Sequence, residues 1–280
     1  MSDDHDDLYH RGLAFDLGTL LERRRVLGLF AGLGAATLVG CSTDAAPPSS
    51  SPTSAGPASP SSGPSSASAS SASCDEIPAE TAGPYPGDGS NGPNVLTQSG
   101  IVRSDIRSSF GGPTGVAGGV PLTIKLAIVD TSKSCAAYAG AAVYLWQCSR
   151  EGGYSLYTRG VTQENFLRGV QAAGADGVVT FQSIFPGAYA GRWPHIHFEV
   201  YPNLAAATSA GSKIATSQVA LPRAACDAAY ATSGYSASVA NMARTTLAND
   251  TVFRDGADQQ LATMTGTVAA GLTATLTVPV

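Results

Sequence analysis

Leu122, Ile124, Leu126 and Ile128 alternate with Thr123 and Lys125 across residues 120–130, and this period of two is the strongest constraint on the fold. Successive side chains of a strand point to opposite faces, so the segment reads as a half-buried β-strand. Similar runs recur at 142–148, 178–185, 195–201, 215–221 and 272–278, each bounded by Gly, Pro, Ser or Asp. Many short strands with that punctuation predict an all-β domain, an antiparallel β-sandwich with short helices and long loops. The alanine-rich segments 223–231 and 237–248 are the predicted short helices.

Ahead of the strands, Arg23, Arg24 and Arg25 precede an almost unbroken apolar run over 26–39 that closes on Leu38-Val39-Gly40-Cys41. A membrane-spanning helix needs about 20 apolar residues, so the run reads as part of an export leader at 1–41. Arg24-Arg25-Val26-Leu27 resembles a twin-arginine signal, and Leu-Val-Gly-Cys resembles a bacterial lipobox in which Cys41 is lipidated. Residues 42–73 are nearly all Ser, Ala, Pro, Thr and Gly, too poor in apolar surface to offset the entropy of ordering. They read as a disordered tether spanning on the order of 30 Å as a coil. The expectation is a domain at 74–280 at the extracellular face of the bacterial cell membrane, held by a lipid anchor at Cys41 only, or released from it.

The chain has a formal net charge of −5 and no cluster of Lys or Arg within 74–280, which argues against nucleic acid as a partner. Four cysteines follow the tether, Cys74, Cys135, Cys148 and Cys226. An even number in an exported chain reads as two disulfides, and the absence of C-x-x-C spacing argues against a cysteine metal site. Of the three possible pairings, Cys135 with Cys148 and Cys74 with Cys226 is preferred.

The segment from Gly187 to Phe198 places Tyr189, Arg192, His195 and His197 within a few residues of one another. His195 and His197 are the only histidines after the leader, and on a strand both project from one face while Ile196 packs on the other. Taken alone, the pair reads equally well as two surface histidines on a half-exposed strand or as metal ligands.

The rest of the chain carries a resemblance. Val143-Tyr-Leu-Trp-Gln-Cys-Ser-Arg-Glu-Gly-Gly-Tyr-Ser155, Phe166-Leu-Arg-Gly-Val-Gln171, Phe185-Pro-Gly-Ala-Tyr189 and Arg192-Trp-Pro-His-Ile-His197 together resemble the core of the intradiol ring-cleavage dioxygenases. Thr81-Ala-Gly-Pro-Tyr85 is similar to a segment that lines the active site in that family. The resemblance implies a non-haem iron(III) centre held by Tyr154, Tyr189, His195 and His197, and cleavage of a catechol-type ring with O2 to a muconate-type dicarboxylic acid. Two phenolates and two neutral imidazoles form a donor set suited to iron(III). Within it, Tyr189 is implied to be the ligand that substrate displaces and a base for one catechol proton. Arg192 is implied to stabilise negative charge on the ring. Gln218 matches a family glutamine near the substrate, across a longer gap from His197. Tyr85 and Trp193 could supply an aromatic wall for a flat ring or be simple packing. The chain departs from the family's intracellular catechol enzymes in the short spacing between Tyr189 and His195 and in lacking a preceding helical dimerisation region, so a dimer is not implied.

Other readings fit the same residues. Glu199 lies on the same strand face as the histidines and would complete the two-histidine, one-carboxylate set of ferrous oxygenases. The domain could be a catalytically inactive extracellular module that binds catechols or iron. A secreted copper protein using His195 and His197 is a third possibility, and it predicts that Tyr154 and Tyr189 are dispensable for metal.

Overall fold

The computed structural model describes residues 74–209 and 211–280. The leader, Cys41 and the tether lie outside the described residues. Among the described residues no helix is long and apolar enough to cross a membrane.

Two sheets form the domain. The first contains β1 (Pro121–Asp130), β2 (Ala136–Ala137), β5 (Val178–Ile184), β8 (Thr263–Thr267) and β9 (Gly271–Pro279) in the order β2-β1-β9-β8, with β5 also paired to β1. The second contains β3 (Ala142–Trp146), β4 (Arg168–Ala172), β6 (His195–Tyr201) and β7 (Ala215–Ala220) in the order β4-β3-β6-β7. The architecture is the expected mostly-β sandwich, and among the pairings between its named strands one departs from the antiparallel pattern. β1 and β9 run parallel, with Leu122, Ile124, Leu126 and Ile128 beside Leu272, Ala274, Leu276 and Val278. Both strands alternate with period two, and that pattern is the same whichever way a strand runs.

The core lies between the sheets. Leu122, Ile124, Leu126, Val179 and Phe181 from the first meet Val143, Leu145, Ile196, Phe198, Val200 and Val219 from the second. The second sheet is also buried on its other face. There Ala142, Tyr144 and Trp146 of β3 join Val95, Leu96, Ile101, Tyr154 and Tyr201 in a separate cluster under the loops before β1 and after β3. Every residue of β6 is therefore buried. That overturns the half-exposed strand as a setting for the histidine pair.

The cysteines depart from expectation. Cys74 pairs with Cys135 across a Cα separation of 5.9 Å, while Cys148 and Cys226 are free and buried. The parallel β9 explains the pairing. Ile77 N–H donates to Pro279 O (2.9 Å), Pro279 lies beside Val129, and Ala136 beside Asp130, so the start of the domain runs next to the turn that carries Cys135. Cys148 packs in the outer cluster and Cys226 in the inter-sheet core.

The α-helices among the described residues are Leu204–Thr208, Arg223–Tyr230 and Ser236–Met242. The first, not expected from the sequence, is capped by Asn203, whose side chain accepts from Ala206 N–H (2.9 Å). The last stops short of the predicted 248. Asn249 accepts from Thr246 N–H and donates to Arg244 O, closing a turn in place of another helical turn. That turn delivers Asp250 to the site.

Candidate metal centre

His195 and His197 project from the β6 face opposite Ile196 and Phe198, and β6 is bonded to β3 on one side and β7 on the other. Tyr154 descends from the loop between β3 and β4, and Tyr189 from the loop between β5 and β6. The four side chains meet. His195 Nε2 lies 3.1 Å from Tyr189 Oη, 3.1 Å from His197 Nε2 and 3.5 Å from Tyr154 Oη. Donors about 2.1 Å from one first-row metal ion are about 3.0–3.6 Å apart when they subtend about 90–120° at it. The observed separations are those of donors that can share an ion.

The hydrogen-bond chemistry agrees. His195 Nδ1 is 2.5 Å from the Trp193 carbonyl, which can only accept, so Nδ1 carries the proton and Nε2 turns a lone pair into the cluster. Burial holds both imidazoles far below their usual range and hence neutral, with Arg192 adding to the effect. His197 Nδ1 is buried without a hydrogen-bond partner, so the ring is under-satisfied whichever nitrogen carries its proton. Burial first, and then the neighbouring Tyr189, push the Tyr154 phenol well above its ordinary range. A cation would stabilise the phenolate and engage the lone pairs, so the residues present fit a metal. Trp146, directly opposite His197 on β3, stacks on its imidazole with ring centroids 4.9 Å apart and planes 5° from parallel.

Glu199 does not join the cluster. Its carboxylate accepts from Tyr201 Oη (2.7 Å) and pairs with Lys213, which also bridges to Asp88 (2.7 Å). Among the described residues no group of three or more His, Cys, Asp or Glu side chains is placed to hold a metal ion. This disfavours the two-histidine, one-carboxylate reading and leaves the two tyrosines as the remaining donors.

Around the cluster, Arg192 is buried and donates through Nε to Asp250 (3.0 Å) and through Nη2 to Gln218 Oε1 (2.6 Å). Gln218 sits on β7 directly opposite His197 and donates in turn to Thr81 O (2.9 Å). The long gap from His197 in sequence is absorbed by the helix 204–208 and its loop, and the antiparallel register returns the glutamine to the site. Tyr85 lies with its ring centroid 5.0 Å from that of Tyr154. Trp193 is placed elsewhere. Its ring packs in the inter-sheet core and its Nε1–H donates to Leu221 O (2.8 Å), so it does not form a wall of the site. Of the four donors only Tyr189 is partly exposed, beside exposed Ala190 and Gly191, and this marks the mouth.

Two residues without an assigned role in the sequence reading matter here, Asp250 and Arg168. Arg168 is fully buried, and its guanidinium donates to the carbonyls of Tyr85, Pro86 and Ser155. Behind Thr81, Glu80 is buried, and desolvation pushes its carboxyl up to about 7 against one hydrogen bond from Gln260 (3.2 Å). The folded value lies above the unfolded one, so the native state holds this proton more tightly. Its contribution to stability is full below about pH 4.5 and is lost as pH rises through 7. Glu80→Gln should therefore melt higher than the parent at pH 9, by about 2–4 °C for each kcal/mol recovered, and show no gain at pH 4. Thermal melts across pH check this, and a difference that does not vary with pH would contradict it.

The chain is structurally similar to intradiol ring-cleavage dioxygenases. The intradiol ring-cleavage dioxygenase from Tetranychus urticae is 25% identical, with a TM-score of 0.53 over 65% of this chain and 89% of its own. A second solved structure, of a dioxygenase, is also 25% identical, with a TM-score of 0.54 and the same coverage. No family model matches the chain, and no curated protein matches it.

Proposed function

We propose that this protein is a non-haem iron(III)-dependent intradiol dioxygenase that opens catechol-type rings with O2 to muconate-type dicarboxylic acids outside the cytoplasm. The observation that carries the reading is the meeting of two phenol oxygens and two imidazole nitrogens within 3.5 Å around His195 Nε2. Tyr154, Tyr189, His195 and His197 would hold the iron. Bound there, iron(III) would supply the electron withdrawal that opens a chelated catechol to attack by O2.

The remaining work falls to the chain itself. Trp193 O keeps His195 in the tautomer that offers Nε2. Tyr189, the donor at the mouth, is the one a substrate meets first and accepts a catechol proton. Arg192 presents a fixed cation where negative charge grows on the ring, a kind of stabilisation worth about 3–4 kcal/mol in other enzymes. Tyr85 lines the approach beside Tyr154.

Location outside the cytoplasm is part of the proposal. It is supported by the leader-like sequence ahead of the domain and by the Cys74–Cys135 disulfide, a bond that persists in oxidising compartments.

The test is a visible absorption titration of purified protein with catechol, first without oxygen and then with it. The expected result is a tyrosinate-to-iron(III) band that shifts with catechol and decays in oxygen as a muconate product accumulates. A band that shifts and then persists in oxygen would identify a binding module instead. Colourless, iron-free protein would remove the metal assignment.

A further inference from the structure

The carboxylate of Asp250 is fully buried, and its four hydrogen bonds leave it no freedom to swing. Oδ1 accepts from the backbone N–H groups of Val252 (2.7 Å) and Phe253 (3.1 Å). Oδ2 accepts from Arg192 Nε (3.0 Å) and from Trp193 N–H (2.6 Å). The two oxygens thus join the turn after the third helix to the segment that leads into β6. On its other side the guanidinium is held by Gln218, itself anchored on Thr81 O.

We propose that Asp250 is a positioning residue for Arg192, fixing the arginine's charge beside the tyrosine and histidine donors before any substrate arrives. A buried ion pair is a poor device for stability alone, because a well-packed apolar pair of similar volume often does as well or better. What the pair does provide is direction. An arginine gripped at two nitrogens does not need to reorganise when negative charge develops nearby, and that absence of reorganisation is the source of electrostatic catalysis. Asp250 also accepts from the Trp193 N–H, which belongs to the peptide that follows Arg192, so the same carboxylate sets the direction of the segment that carries the arginine.

The inference rests on the dioxygenase reading, and its test separates the two. Asp250→Asn should keep its iron and tyrosinate colour while kcat for oxygen uptake with catechol falls by about 10- to 100-fold, the usual effect of losing a supporting partner. KM should change less than kcat. The same substitution made in an Arg192→Met background should cost only a few-fold more, because the residue through which Asp250 acts has gone. The cycle is repeated as anaerobic binding of 4-nitrocatechol, a readout without turnover, where the same non-additivity is expected. If Asp250→Asn does not fold, Asp250→Glu keeps the charge and moves it by one methylene, and a lowered kcat is still expected.

Parent protein that takes up no oxygen refutes the dioxygenase reading, and the 4-nitrocatechol cycle then decides this inference. Active parent protein with Asp250→Asn or Asp250→Glu at full kcat refutes the positioning role alone. An equal loss in the parent and in the Arg192→Met background refutes it too.

Discussion

Changing His197 to alanine should give a folded protein that retains no iron and takes up no oxygen with catechol. Its Nε2 is 3.1 Å from His195 Nε2, and the ring stacks on Trp146, so alanine removes a donor and leaves a gap beside the indole. Losing a group that merely orients a ligand costs about 10- to 100-fold in affinity or activity, and losing the ligand itself must exceed that. Iron content by elemental analysis and oxygen uptake are the measurements. Tyr154→Phe should have the same consequence, since the phenolate supplies anionic charge to the site. Metal retained by Tyr154→Phe but lost by His197→Ala would favour a site built on the histidines alone, such as copper. Tyr189→Phe should differ from both, keeping its iron while binding substrate more slowly. Full activity in that variant would remove Tyr189 as the displaced ligand.

Much of this site was legible in the chain because its parts sit in local patterns. The alternation through His195-Ile196-His197-Phe198 gives the facing of both imidazoles, and the structure adds only that the strand is covered on both sides. Other features depend on contacts that local pattern does not carry. The direction of β9 against β1 is invisible to a period of two, and the Cys74–Cys135 pairing follows from that direction. β4 begins with a buried arginine followed by Gly169, and β8 contains Gly266, so neither looks like a strand. Asp250 meets Arg192 across 58 residues from a turn that resembles the end of a helix. Trp193 shows the opposite failure. An aromatic next to the ligand segment suggests a substrate wall, but its indole faces the inter-sheet core.

Arg168→Met should destabilise the protein by about 4 kcal/mol, beyond the usual 0.5–3 kcal/mol of a point mutation. The side chain is fully buried and its partners are neutral oxygens. It donates to Ser155 Oγ (3.1 Å) and Ser155 O (3.0 Å), to Pro86 O (2.8 Å), to Tyr85 O (3.0 Å) and to Tyr144 Oη (3.2 Å). Methionine fills much of the volume but leaves the carbonyls of Ser155 and Tyr85 without these donors, each costing about 1–3 kcal/mol, while Pro86 O keeps its hydrogen bond from Tyr144 Oη. Lysine would not rescue it, because three donors on one nitrogen cannot match a planar fork that reaches two segments. Local backbone strain sharpens the argument. Leu167 and Leu156 are left-handed at φ 58° and 73°, flanking the arginine and the Ser155 carbonyl it holds, and such positions persist only where surrounding contacts fix them. Gly87, at φ 67°, packs so close that a Cβ there would fall 2.8 Å from the guanidinium, so the neighbouring loop is shaped around this side chain. Because the clamp joins the residue after Tyr154 to the segment of Tyr85, the lost stability should be accompanied by weaker metal retention. Urea denaturation and iron content measure the two effects. A loss below about 1 kcal/mol, or wild-type iron content in a clearly destabilised variant, would mean that Arg168 does not hold Tyr154 in place.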